Sequence, residues 1–186
     1  MKELRMDGRR ALRVAFWLNA MALVVESLAG GLGRTLVEMP AWRRLGPEAW
    51  ASFSRLADLG NGEIVYSIFG IGGMLLTLGA ALAFYRAQER SLSASATVYG
   101  AAFLEICVLV LTTRAAPNML SLRHIGTNHA LLLNAFDGFD KWDSIRAFVG
   151  TVGHYASIWS LVALTKLRCE HDDHAAQRGY RVTHDA

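Results

Sequence analysis

Four windows of this chain stay apolar over the length of a membrane-crossing helix. The cleanest runs from Ile64 to Tyr85, 22 residues without a side chain that is charged at pH 7. A hydrocarbon core about 30 Å thick takes roughly 20 residues of α-helix at about 1.5 Å rise per residue. Ala11 to Gly31, Ala94 to Thr113 and Ile145 to Thr165 have similar lengths, and each carries one acidic or histidine residue near its middle. The pattern predicts an all-α fold, an integral membrane four-helix bundle with spans at about 11–31, 64–85, 94–113 and 145–165, in a single domain over 1–186. A soluble bundle would set a charged face opposite an apolar stripe, and the window 64–85 has none.

The stretches between windows divide by length. The turn 86–93 is short, which makes the second and third spans antiparallel neighbours. The two outer connections, 32–63 and 114–144, are long, so ligand access is expected at that outer mouth. In the first, Pro40 interrupts the chain leaving span one and Gly46-Pro47 makes a second break. Pro47 then opens a short interfacial helix through Leu59. That helix is expected to place Trp50, Phe53 and Leu56 or Ala57 on one stripe, with Arg55 and Asp58 directed elsewhere, as a lid over the bundle. The tail 166–186 is polar and is expected to be disordered and cytoplasmic.

Composition agrees with a membrane protein: 53% hydrophobic residues, 19% charged and a mean hydropathy of +0.25. The net charge of +3 and pI near 9.1 call for no nucleic acid, because basic flanks facing anionic lipid account for them. With four spans both termini share a side, and that side holds eleven of the 19 Lys and Arg, Arg86 and Arg90 among them. The bias places both termini in the cytoplasm and the chain in the inner membrane. Cys107 falls inside a span and Cys169 beyond one, so no disulfide is expected between them.

Depth brings out the candidate chemistry. Glu26, Glu105 and His154 each lie twelve or thirteen residues from the inner end of their spans, roughly 18 to 20 Å from that boundary. Ionisable groups at mid-bilayer cost about 2.5 to 3.5 kcal/mol each on insertion scales, so three at one level should face inward and partner one another. At that level span two presents Gly72, Gly73 and Met74, with Gly30 and Gly31 a turn above, which leaves room for a hole. The competing use of Gly70, Gly72, Gly73, Gly79 and Ala83 is close helix packing. Three roles are open to the layer: a bound first-row metal at Glu26, Glu105 and His154, proton transfer, or a triad that fixes helix register. No cofactor is assigned.

A second polar level lies above, with Asp58, Asn61, Glu63 and Tyr66 from the approach to span two, Arg34 and Glu38 from span one, Arg114 and Asn118 from span three, and Trp142 and Arg146 from span four. Arg34, Arg114 or Arg146 there could hold an anionic or phenolate oxygen. The substrate-binding candidates are Arg34, Asp58, Asn61, Tyr66, Gly73, Trp142 and Arg146. His124 with His129, and Cys169 with His171 and His174, are weaker metal candidates. The chain has no phosphate-binding Gly loop, no Gly-x-Ser-x-Gly elbow and no His-Glu-x-x-His.

The segments "GGLGRTLVEMPAWRRLGPEAWASFSRLADLGNGEIVY" and "NHALLLNAFDGFDKWDSIRAF", with a short inner turn between the central spans, resemble the anthrone oxygenase-like family of small four-helix membrane proteins. The resemblance covers about Ala11 to Leu164 and rests on soft motifs, a Gly-rich first helix, a Pro after it and Trp142-x3-Arg146. It implies a membrane enzyme that oxidises a hydrophobic, aromatic, polyketide-like molecule without a flavin or haem. His154 or Glu105 would then be the base, Glu26 its orienting partner, and Arg34 or Arg146 the enolate stabiliser. Two alternatives stand beside it. One is a cyclase that protonates a polyene or epoxide from Glu26 or Glu105, with Tyr66, Phe69, Tyr155 and Trp159 stabilising cations. The other is a non-enzymatic transport or assembly subunit, which would work as a homo-oligomer. In each case the expected partners are the lipid bilayer and a hydrophobic small molecule.

Overall fold

The computed structural model describes residues 7–28, 33–89 and 91–184, with side chains through His171 outside a few helix ends. The described residues are helical with no strand. The main helices are α1 (Gly8–Leu28), α2 (Met39–Leu45), α3 (Pro47–Leu56), α4 (Glu63–Ala87), α5 (Leu92–Leu120) and α6 (His129–His184). Short π-helical segments occupy Arg34–Glu38 and Ala57–Gly62, and a 3-10 turn occupies Ser121–Arg123. The long helices pack in a ring, α1 on α4, α4 on α5, α5 on α6 and α6 back on α1.

Among the described residues three helical stretches are long and apolar enough to cross a membrane, Pro47–Ala87, Leu92–Arg123 and His129–His171. Four such spans were expected; the first, 11–31, runs past the described residues, and its described part, α1, packs between α4 and α6 like its neighbours. The short turn between α4 and α5 does make them antiparallel. Its end of the bundle also holds the start of α1 and the far part of α6, where the Arg168 guanidinium lies 4.4 Å from the Phe16 ring centroid and His171 Nε2 lies 2.6 Å from Glu89 Oε1.

Two expectations about connections are corrected. The outer connection 114–144 is mostly helix: α5 runs to Leu120 and α6 starts at His129. Leu132, Ala135, Phe136 and Phe139 are buried at helical spacing, so this polar-looking stretch is amphipathic. The tail is helical as well, since α6 continues to His184.

The core comes in two pieces. An inner cluster joins Leu12, Ala15, Phe84, Ala94, Val98 and Leu164 from all four long helices. An outer cluster joins Met39, Trp50, Ala115, Met119, Leu122 and Phe136 beneath the α2–α3 cap. Between them no residue is buried along 23–27 of α1, 63–72 of α4, 106–114 of α5 or 144–152 of α6. This level is therefore more open than either core, although α5 and α6 still meet there, a methyl on Gly150 lying 3.7 Å from Val108 Cγ2.

The cap is stapled down. Arg43 pairs with Asp140 on α6 through Nη2 at 2.7 Å and Nε at 3.0 Å, and Glu48 pairs with His129. Arg55 donates to the carbonyls of Leu122 at 3.0 Å, Gly126 at 2.8 Å and Ile125, closing the chain end between α5 and α6. Gly46 turns from α2 to α3 at φ 93°, a backbone that favours glycine. The face α3 buries is Trp50, Ala51 and Ser54, continued by Asp58 on the following π segment; Phe53 and Leu56 are exposed, which corrects the expected stripe. Replacing Arg55 by Ala leaves three carbonyls to find water. We expect a loss of about 2 to 3 kcal/mol, read as a lowered Tm in detergent together with faster proteolysis between 121 and 128.

Candidate functional site

Glu26, near the end of α1, and His154, in the middle of α6, are 128 residues apart in the chain and meet across the bundle, with Nδ1 of the imidazole 3.2 Å from Oε2 of the carboxylate. The two helices bring them to one depth, as the residue count from the inner boundary predicts. The second carboxylate oxygen faces α4. There the Thr77 hydroxyl lies 3.4 Å from Glu26 Oε1 and 2.9 Å from the Gly73 carbonyl, sharing one proton between two acceptors. Gly73 is buried against α1: a methyl there would sit 3.6 Å from Val25 Cγ1 and 3.7 Å from Glu26 Cγ, ordinary contact distances. Of the glycines read as a possible hole, Gly73 instead meets α1, whereas a Cβ on Gly72 would meet nothing within 4 Å; of those read for close packing, Gly79 admits α1, with Leu18 Cδ1 at 3.2 Å from such a Cβ, and Gly70 meets nothing. Gly30 and Gly31 lie outside the described residues.

Glu105 is buried on α5 next to α6, where a methyl on Gly153 would lie 3.5 Å from its Oε1. It is close enough to interact electrostatically with both Glu26 and His154, yet it hydrogen-bonds to neither. The layer is therefore a Glu26–His154 pair with a third ionisable group beside it. Among the described residues no three His, Cys, Asp or Glu side chains form a set that could hold a metal ion. The metal role considered for Glu26, Glu105 and His154 is thus unsupported, because Glu105 stands off the pair. The other two metal candidates resolve into pairs: His129 is held by Glu48 and His171 by Glu89, while the His174 side chain lies outside the described residues.

Below the pair the interior stays polar. Asn19 is buried and donates from Nδ2 to the Ser157 carbonyl at 2.9 Å. The hydroxyls of Ser157 and Ser160 are buried without a partner.

Above the unfilled level sits a second charged group. Arg34 donates to Asp58 through both terminal nitrogens, at 3.1 and 2.8 Å, with 13% and 5% of the two side chains exposed. Each partner lies on one of the two π segments, where an extra residue per turn re-aims a side chain. Gly62 closes the second segment, and a Cβ there would come within 2.6 Å of the Ala57 carbonyl oxygen, so only glycine fits without backbone movement. The Arg34 guanidinium also lies 5.2 Å from the Phe139 ring centroid and 5.9 Å from that of Tyr66. Burial works against its charge, Asp58 more than offsets this, and Asp143 and Tyr66 add to it, so its pKa moves up and it remains a cation. Arg146 is paired with the buried Asp143 one turn before it on α6.

The remaining candidates fall outside this group. Asn61 is exposed and hydrogen-bonds to none of these side chains. Trp142 packs against the outer core and lies 5.7 Å beneath the Lys141 ammonium. Arg114 is exposed. Sequence reasoning passed over Thr77, Asp143 and Arg55. The signal for Thr77 was present, since it sits four residues from Gly73 on the same helical face; likewise Asp143 precedes Arg146 by three.

Comparison with family models, with curated proteins and with solved structures finds no match to this chain. The described residues form an all-helical fold with three helices long and apolar enough to cross a membrane. Its site is a polar layer between two separate cores.

The buried pair offers a direct test. Asp58→Ala strands the Arg34 charge, and we expect it to cost about 3 to 5 kcal/mol, whereas the double replacement Arg34→Met/Asp58→Leu should cost clearly less. Thermal or denaturant unfolding in detergent measures both. Equal losses would mean that the stability comes from packing rather than from the charge pair.

Proposed function

We propose that this chain is a membrane-embedded enzyme in which His154 removes a proton from a hydrophobic, aromatic small molecule. The observation that carries the reading is the contact between Glu26 and His154 Nδ1 at the edge of an unfilled level of the bundle. An ionised Glu26 keeps the ring proton on Nδ1, which leaves the lone pair on Nε2 to act as base. A third of the His154 side chain remains accessible, against 12% of Glu26, so the imidazole is the reachable member of the pair. Arg34 and Tyr66 stand above to receive negative charge on the substrate oxygen. In this reading α1 is the fourth span and both termini are cytoplasmic, in the inner membrane. The similarity to anthrone oxygenase-like sequences supplies the reaction.

The step balances with O2 as the oxidant. A doubly benzylic CH2 gives a proton to His154 and its electrons to O2, which adds as a hydroperoxide. Loss of water from that hydroperoxide leaves a carbonyl, so one O2 becomes one carbonyl oxygen and one water. The pair supplies proton transfer, and O2 supplies the oxidising power.

Oxygen uptake with anthrone checks this. His154→Gln is expected to lower kcat by about 10² to 10⁴, and Glu26→Gln by less because the base survives without its orienting partner. Unchanged turnover in both variants would refute the assignment. Glu105 favours a second reading, since a buried carboxyl beside this space is what a proton-initiated cyclase requires. Cyclisation consumes no oxygen, so product formed under anaerobic conditions and lost in Glu105→Gln would identify that reaction instead.

A further inference from the structure

The outer mouth, where the sequence suggests ligand access, is covered by the α2–α3 cap. Arg43–Asp140, Glu48–His129 and the three carbonyls held by Arg55 tie that cap to α6 and to the 3-10 turn after α5. The side of the bundle between α4 and α5 is different. Residues 63 to 68 of α4 are all exposed, although six consecutive helical residues point in every direction around the axis. This end of α4 therefore stands away from its neighbours. Facing it across the same flank, α5 exposes Phe103, Ile106 and Val110.

The gap has an upper and a lower edge. At the top, Arg123 after α5 pairs with Glu63 at the start of α4. At the bottom, Phe84 of α4 meets Tyr99 of α5 with ring centroids 5.8 Å apart, inside the inner core. Between Glu63 and Gly73 on α4, and between Glu105 and Ala115 on α5, neither helix buries a residue, a height of about 15 Å on both. Gly70, seven residues after Glu63 and so on the same stripe of α4, flanks the opening, and a Cβ there would meet nothing within 4 Å. At its floor lie Gly73, Thr77 and the Glu26 carboxylate.

We infer that an apolar small molecule dissolved in the bilayer reaches the Glu26–His154 pair sideways, through the opening between α4 and α5, and not through the cap. The inference rests on the reading that a ligand occupies the unfilled level. The rim suits such a molecule, since Tyr66, Gly70, Phe103, Ile106 and Val110 carry no charge and a water-soluble ion would gain nothing there.

Thiol labelling tests the route without turnover. Ala147 lies on the inward face of α6 between Asp143 and His154 at helical spacing and is only half-buried. Ala147→Cys, in a Cys107→Ala/Cys169→Ser background in phosphatidylcholine nanodiscs, is exposed either to N-phenylmaleimide, which partitions into lipid, or to a sulfonated, bilayer-impermeant methanethiosulfonate. The maleimide is expected to label and the sulfonated reagent to lag. Adding Gly70→Trp should slow the maleimide about tenfold, while Gly100→Trp, on an equally open α5 surface, should not. If Gly70→Trp fails to fold by circular dichroism, Ile106→Trp, on the α5 side of the opening, carries the same test. An unchanged maleimide rate in the Trp variant, or a sulfonated reagent that labels as fast as the maleimide, overturns the lateral route. Labelling requires no oxygen chemistry, so failure of the enzyme reading would leave this result standing, and failure of the route would leave the role of the pair untouched.

Discussion

A carboxylate and an imidazole on helices built for hydrocarbon must find a partner or forfeit several kcal/mol each. Glu26 and His154 meet that constraint in each other, and Thr77 engages the remaining carboxylate oxygen. The contact obliges α1 and α6 to face one another at this depth. The same contact fixes which ring nitrogen is engaged. The contact that aligns α1 with α6 is therefore also the one on which the proposed chemistry draws.

The same rule operates at the cap, where three ion pairs and the Arg55 carbonyl contacts tie the outer segments to the long helices and Arg34–Asp58 joins the two π segments. Several are half-exposed and contribute little singly. Arg34–Asp58 is the exception, because both groups are buried and each would be costly alone. Two π segments deliver its two members, so an irregularity in the helices becomes the means of aiming them. The result is a bundle with a well-packed inner half, a stapled outer cap and an unfilled level between them that has charge at both its floor and its roof.

The layer at mid-depth was legible in the sequence because helical rise converts residue counts into depth. Counting placed Glu26, Glu105 and His154 together without any knowledge of neighbours. It could not say that Glu105 stands apart from the pair, since depth says nothing about azimuth. Gly73 carried a mixed signal: a residue without a side chain can mean either a hole or a close neighbour, and here α1 fills the space. The segment 129–143 lies in a connection, 114–144, that reads as a long polar loop. Its apolar residues recur at helical spacing, and that period outweighs the polar composition once the face is buried against the cap. Similarly Asp58 was assigned away from the buried stripe of the short helix, because the π segment that turns it inward has no sequence mark.

The sequence by itself determined that the chain is helical, that its long apolar segments suit a membrane, and the depth at which ionisable groups sit along them. These properties follow from local hydropathy and a constant rise per residue. Only the tertiary structure decided which of those groups touch, which glycines face a neighbour and which face open space, and that the cap is tied shut while the flank between α4 and α5 is not. Those outcomes depend on helix rotation and on contacts between residues as much as 128 positions apart. No local pattern encodes them, because they are settled by which faces the whole bundle can bury at once.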